Sequence, residues 1–434
     1  MRLLEKYVYA DGQITPMKPE ELFREEDPTR LGRGRDRIDV IDLEKQTVFG
    51  FGGTFTEASA LNYISLDAAG RRRVIDMLFG PDGLRYNYCR VCINSSDFAE
   101  ERYIYTEEGD YTLSTFSIDR DKKAVIPFIK DALAACGGKM TLFASPWSPP
   151  GYMKTSGSMT GGRLKPECYR LWAEYILKFI SEYENEGVAI SAVTVQNEPG
   201  LHRWESCEWT IDELAAFTKV LRGVFSGYHR KIAIICWDFN RGGMFDCVSP
   251  MLKDEECGVD GVGFHWYNGW HRGELEAVHA AFPDKALIET EFCHGISARM
   301  YGKYRSEIMT VLDSWTNAVV EWNLLLDAEG GPYHGRDIGC CSPLFTDGGA
   351  VSPRGTYYQT YIFSHFIEPG ARVLYTSSAF KSLQTLAVRN PDGRILVYTY
   401  NDSVRDELVT YCYGEYRWTA EAVRDLVTLY VIEP

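Results

Sequence analysis

Short apolar runs alternate with longer amphipathic runs along most of this chain. The apolar runs predict eight strands: TVFGFGG (47–53), LRYNYCRVCI (84–93), KMTLFAS (139–145), ISAVTV (190–195), KIAIICW (231–237), VDGVGFHW (259–266), KALIETE (285–291) and AVVEWNLLL (318–326). Helical patterns lie between them, at 66–79, 121–135, 210–226, 244–255, 272–281, 301–317 and 355–366. The clearest spans Pro166 to Tyr183, where Leu171, Trp172, Tyr175, Ile176, Phe179, Ile180 and Tyr183 recur at three- and four-residue spacing and form one apolar stripe. Pro166 suits its first turn and Gly187 its stop. Continuous apolar strands, each followed by a helix, predict a parallel sheet covered by helices, and eight such units close naturally into a (β/α)8 barrel. An open doubly wound sheet is the competing architecture, and it lacks the Gly-rich phosphate loop expected after its first strand.

From about Ala371 the pattern changes to period two. SLQTLAVRN and RILVYTY are alternating runs joined by Pro-Asp-Gly, and the remainder of the tail follows the same style. Near the other end, RIDVIDLEKQTV reads as strand–turn–strand and is expected to join that β region. The expected organisation is therefore an N-terminal segment (1–46) contributing to a side β-domain, a barrel (47–370) and a C-terminal β-domain (371–434).

Composition narrows the function. The chain has 434 residues and a net charge of −15, which repels phosphate backbones and argues against nucleic acid as a partner. The N-terminus, MRLLEKYVYADGQ, lacks the apolar stretch of a secretory signal, and no apolar run is long enough to span a bilayer, so the expectation is a cytoplasmic protein without a membrane span. The 12 cysteines are scattered, with Cys340 and Cys341 adjacent, and reduced thiols are expected. The few histidines do not fall at HxxxH or HExxH spacing, so no metal or other cofactor is expected. Asn94-Ser95-Ser96 fits the glycosylation pattern.

The candidate chemistry lies at the C-terminal ends of the predicted strands, the working face of such barrels. Strand 2 runs into Arg90 through Asp97, strand 3 into Ser145-Pro146-Trp147, and strand 4, in the stretch TVQNEPG, into Gln196-Asn197-Glu198. Strand 6 ends in His265-Trp266-Tyr267, strand 7 in Glu289-Thr290-Glu291 and strand 8 in Glu321-Trp322-Asn323. Glu198 and Glu291 sit three β–α units apart, which places them across the mouth from each other. Paired carboxylates flanking one bond are the machinery of glycoside hydrolysis; a separation near 5 Å allows direct attack with retention, and about 6.5–9.5 Å leaves room for water and gives inversion. Two such carboxylates repel by roughly 3 kcal/mol, about two pKa units, so one stays protonated as an acid. Spacing alone leaves Glu289 as an alternative to Glu291, because period two puts both on one face.

Seven blocks, in order, carry a specific resemblance: FGFGGTFTEASALN, YNYCRVCINSSDF, SPWSPPGYMKTSGSMTGGRLK, WAEYILKFISEYENEGVAISAVTVQNEP, GFHWY, ETEFCHG and EWNLLLDAEGGP. The chain resembles glycoside hydrolase family 30, the glucosylceramidase-like β-glycosidases. The resemblance implies a retaining β-glycosidase on a (β/α)8 TIM barrel, with a side β-sandwich built from both chain ends. It implies that Glu198 is the acid/base and that Glu291, two residues before Cys293, is the nucleophile. It also implies that Asp97, Trp147, Asn197 and Trp322 hold the sugar, and that Arg90, His265 and Tyr267 support the nucleophile. A family Asn that touches the sugar has no counterpart in HGRDIGCCSP (334–343), leaving Arg336 or Asp337 to stand in, and Glu57 occupies a usual Asp position. The loop HRWESCEW (202–209) brings its own aromatics: Trp204 and Trp209 either line the leaving-group side or pack in the core. The expected substrate is a terminal β-linked sugar, foremost a β-glucoside. β-Xylosidase, β-fucosidase and β-1,6-glucanase activities are alternatives within the family, and a carbohydrate-binding barrel without chemistry is the non-enzymatic one.

Overall fold

The computed structural model describes residues 2–10, 13–20, 23–24, 37–269, 271–295, 303–335 and 339–433. The chain divides into two compact units, one of residues 51–298 and 318–352, the other of 1–50, 299–317 and 353–434.

The first unit is built on a closed barrel of eight strands. In chain order they are β1 (Gly50–Phe55), β2 (Tyr88–Ile93), β3 (Thr141–Pro146), β4 (Ile190–Thr194), β5 (Ala233–Asn240), β6 (Gly261–His265), β7 (Ala286–Phe292) and β8 (Thr316–Asn323). Every predicted apolar run supplies one. Neighbouring strands from β1 through β7 pair in parallel. The barrel interior is a packed layer of Tyr88, Phe143, Ala192, Ile235, Ile288, Ala318 and Val320. Two residues further along three of these strands the same inward face turns polar, with Arg90, Ser145 and Thr194. A polar floor thus rests on an apolar plug. Gly52 permits the close approach of β1 to β2: a Cβ there would sit 1.8 Å from the Tyr88 carbonyl oxygen.

The helix predicted from Pro166 begins as a 3₁₀ turn at Pro166–Cys168 and continues as Tyr169–Asn185. Its stripe is buried from Trp172 to Tyr183, except that Leu171 is only half-buried, and Gly187 stops it at a φ of +80°. One helix escaped the sequence pattern. Glu57–Ser65 precedes Ala68–Phe79, and Thr56 caps it by accepting from the Ser59 N–H at 3.1 Å.

The second unit holds a ten-stranded sheet whose spatial order is 13–17, 2–10, 427–433, 395–401, 383–389, 372–378, 37–47, 407–413, 416–422 and 23–24. The chain ends meet there, since Arg2–Ala10 pairs antiparallel with Val427–Glu433. Its core includes Ile38, Val40, Leu374, Val397, Tyr411, Trp418 and Tyr430, with Trp418 stacked on Tyr411 at 5.0 Å. The segment RIDVIDLEKQT is one continuous strand, Arg37–Thr47, rather than strand–turn–strand. It contains neither Gly nor Pro to make a turn, and its irregularity is absorbed as two register shifts against Arg372–Ser378. Helix Lys303–Asp313 belongs to this unit, where the Ser306 hydroxyl donates to Gln384 at 2.7 Å.

Substituting Gly52→Ala forces β1 and β2 apart at a backbone contact. The expected loss is about 1–3 kcal/mol, read as a lowered urea midpoint with unchanged slope.

Candidate active site

Asp238 is the hub of the polar floor. It is fully buried, and β5 turns it inward through two consecutive left-handed residues, Trp237 (φ +75°) and Asp238 (φ +66°). The pairing of β5 with β6 slips at this point, as expected where a bulge re-aims a side chain. Oδ2 accepts from Arg90 Nη2 (2.9 Å), Ser145 Oγ (2.9 Å) and Thr194 Oγ1 (2.6 Å). Oδ1 accepts from Thr290 Oγ1 (2.5 Å) and faces His265 Nε2 (3.0 Å). Burial alone would push this carboxyl up; Arg90, His265 and Thr194 outweigh it and hold Asp238 well below the usual carboxylate range. The sequence reading omitted Asp238. Its signal was the WDFN that ends strand 5, the one polar strand end left out between strands 4 and 6.

Arg90 spreads its fork over the same floor. Nε donates to Ser145 Oγ (2.8 Å), Nη1 to Glu291 Oε2 (2.6 Å) and Nη2 to Asn197 Oδ1 (2.7 Å) as well as Asp238. The guanidinium lies 4.6 Å from the Trp147 ring and 5.6 Å from the Trp322 ring. Arginine only donates, so Asn197 must turn its carbonyl oxygen toward it and its NH2 away.

His265 completes the floor. Nδ1 faces Glu198 Oε1 at 3.1 Å, while Nε2 faces Asp238. With an acceptor on each side both nitrogens carry protons, so the ring is an imidazolium. Burial opposes that charge, but Glu291, Asp238 and Glu198 overcome it and raise His265 to about 10.

The two glutamates stand above this floor in different settings. Glu198 has a φ of +48°, and its N–H donates to the Asp238 carbonyl at 2.9 Å. The preceding Asn197 N–H donates to the Pro146 carbonyl at 2.9 Å, and Gln196 Nε2 to the Trp147 carbonyl at 2.7 Å. The amides after the strand are therefore its anchor. Burial pushes Glu198 up, His265 pulls it down, and Glu291 and Asp238 add to the rise; the net direction is up. Glu291 receives Arg90 Nη1 and, on Oε1, the Tyr267 hydroxyl at 2.9 Å. Glu289 is fully buried and does not line the pocket, whereas Glu291 does. Ile288 and Thr290 occupy the inner face of β7, so alternation puts Glu289 on the opposite side, and Glu291 reaches the mouth at the strand tip beside a register shift.

The pocket has a volume of about 280 Å³. Of the sequence-predicted residues, Asp97, Trp147, Asn197, Glu198, Tyr267, Glu291 and Trp322 line it, joined by Leu201, Trp204, Phe239, Asn240 and Cys293. Arg90 and His265 lie beneath it as supports. Trp147 and Trp322 stack at 5.0 Å. Trp209 turns away, donating from Nε1 to Gln196 Oε1 at 3.2 Å and packing on Phe217. Arg336 and Asp337 lie outside the described residues. Asn94 is fully buried, bonded to Tyr175 and Ser148, so its side chain is closed to a glycan. Cys89 and Cys92 have CxxC spacing, but in the extended β2 they point to opposite faces, and burial raises both thiols.

Glu198, His265 and Glu291 each offer one atom, all within 4.8 Å of one another. As a metal site the trio is poorly suited, because a ligating imidazole must be neutral, whereas the surrounding acidic groups raise His265 to about 10 and Nε2 already faces Asp238. The donor set fits proton chemistry instead.

Comparison with known proteins agrees with this geometry. Residues 48–367 match the model of the glycosyl hydrolase family 30 TIM-barrel domain. The chain is 31% identical over 400 residues to the mouse (Mus musculus) lysosomal acid glucosylceramidase, covering 84% of this chain and 77% of that one. Among solved structures, SrfJ from Salmonella typhimurium superposes with a TM-score of 0.92 at 28% identity over 99% of both chains. An endo-β1,6-glucanase superposes with a TM-score of 0.83 at 25% identity, over 91% of this chain and 93% of that one. By barrel, site and family model together, the chain belongs to glycoside hydrolase family 30.

Proposed function

We propose that this protein is a retaining β-glycosidase that removes terminal β-linked sugars, foremost β-glucosides, with Glu198 as acid/base and Glu291 as nucleophile. The observation that carries the reading is the pair of carboxylates with oxygens within 4.8 Å of each other in opposite electrostatic settings. That spacing favours direct attack by one carboxylate over a water-mediated route, which needs about 6.5–9.5 Å.

Charge balance supports these roles. Arg90 and His265 supply two positive charges, and Asp238 and Glu291 supply two negative ones. A neutral Glu198 leaves the cluster uncharged, whereas ionising it adds a third anion to a buried site; its raised pKa expresses this. Glu291, with Arg90 and Tyr267 donating to it, is the carboxylate held in place to attack the anomeric carbon. As it attacks, the bond to the leaving oxygen breaks and Glu198 delivers its proton there. Forming the ester removes the negative charge of Glu291, and with it one cause of the high proton affinity of Glu198. Glu198 then takes a proton from water, which attacks the ester and frees Glu291. The NH2 of Asn197, turned from Arg90, is free to donate to the 2-hydroxyl, a contact that strengthens in the transition state. The stacked Trp147 and Trp322, with Asp97 beside them in the lining, support the sugar's apolar face and hydroxyls. A second reading, cleavage of β-1,6-linked glucan, is favoured by the likeness to the endo-β1,6-glucanase.

A panel of aryl β-glycosides and a β-1,6-glucan, with proton NMR of the product, tests the reading. The sugar is expected to appear first as its β anomer, and first appearance of the α anomer overturns the mechanism. Glu291→Ala is expected to lower kcat by more than about 10³-fold. Glu198→Ala is expected to cost about 10²–10⁴-fold on poor leaving groups, with azide restoring turnover of activated substrates as the β-glycosyl azide. Because Glu198 is raised, its protonated form persists above the ordinary carboxylate range, and kcat/KM is expected to fall only as pH rises through that higher value. That alkaline limb disappears in Glu198→Ala. Asp238→Asn leaves Arg90 and His265 with uncompensated buried charge, and a loss of about 3–5 kcal/mol in chemical denaturation is expected.

A further inference from the structure

The loop that follows Glu198 is a constructed wall. Leu201 donates its N–H to the Glu198 carbonyl at 3.2 Å, and Leu201 and Trp204 both line the pocket. Trp204 has a φ of +30°, a conformation a bulky L-residue rarely adopts, so its neighbours must hold it there. In a double displacement the nucleophile and the leaving group occupy opposite faces of the anomeric carbon, with the acid on the leaving-group side. With Glu198 as the acid, a pocket-lining residue on its own loop is placed on the leaving-group side.

The residue that follows Trp204 is firmly anchored. Glu205 is 1% exposed, and its Oε1 accepts from Ser95 Oγ at 2.7 Å and from His334 Nε2 at 2.9 Å. His334 Nδ1 faces the Ala99 carbonyl at 2.9 Å, which only accepts. Both ring nitrogens thus donate, and the pair is an imidazolium on a carboxylate. Glu205 raises His334, and His334 and Ser95 hold Glu205 down against its burial. His334 follows Tyr333, whose ring, like that of Trp204, packs against the cluster containing Trp147 and Trp322. The ion pair joins the loop after β4 to the loop after β8, and each loop brings one aromatic residue to that cluster.

We propose that the Glu205–His334 pair positions Trp204 as a stacking wall for the leaving group, and that Trp204 selects leaving groups with a flat apolar face. The proposal rests on the β-glycosidase reading above. Trp204 touches substrate and sets specificity; Glu205 and His334 are positioning residues that act through it.

The test compares two substrates with one sugar: an aryl β-glycoside and the β-glycosyl fluoride, whose leaving group offers no face to stack. Trp204→Ala is expected to lower kcat/KM for the aryl glycoside about tenfold more than for the fluoride. Trp204→Phe, which keeps a flat ring, is expected to recover most of the aryl rate. His334→Ala is expected to show the same selective loss, and the double variant His334→Ala/Trp204→Ala to lose no more than Trp204→Ala, since both act through one wall. Equal loss on both substrates makes Trp204 a structural support and overturns the proposal, as does no loss on either. If wild type cleaves neither the fluoride nor any aryl glycoside, the glycosidase reading itself has failed, an outcome distinct from the variant pattern.

Discussion

The site depends on one constraint: a guanidinium and a carboxylate, Arg90 and Asp238, buried together at the top of the barrel's apolar plug. Neither is tolerable there alone. Together they organise both catalytic candidates, because Arg90 reaches Glu291 directly and Asp238 reaches Glu198 through His265. The two glutamates are thus joined through one buried ion pair, and a change on either reaches the other through it. This coupling suits the proposed cycle, in which one carboxylate loses its charge as the other loses its proton.

Much of this was legible in the sequence because barrels write themselves plainly. The strands are buried on both faces, so each appears as a continuous apolar run. Their tips face the mouth, so polarity at the tip reads as chemistry. Glu198 and Glu291 were visible on that ground, and the three-unit spacing put them opposite each other. The family blocks then identified Asp97, Trp147, Asn197 and Trp322, all of which line the pocket.

What stayed hidden depends on backbone conformation. Asp238 ends a run that looks like any other strand, and its inward turn requires two left-handed residues that no residue type announces. The choice between Glu289 and Glu291 fails on period two for a related reason: a register shift beside β7 lets the tip depart from the alternation of the strand below. Helix Glu57–Ser65 was missed because a Thr cap, more than an apolar stripe, starts it. In the other unit, Arg37–Thr47 resembles two strands because four successive exposed residues interrupt its alternation, whereas in space it is simply a strand with one outward stretch.

The backbone of Glu198 has a consequence for the history of such a chain. A φ of +48° suits glycine, and a side chain there costs about 1–2 kcal/mol. The position is thus occupied by a residue that the fold itself disfavours and that the proposed chemistry requires. Drift that rewards stability while activity goes unused will erode this glutamate early. In a lineage of related barrels, a glycine at this place would mark a protein that has kept the sugar pocket and abandoned catalysis.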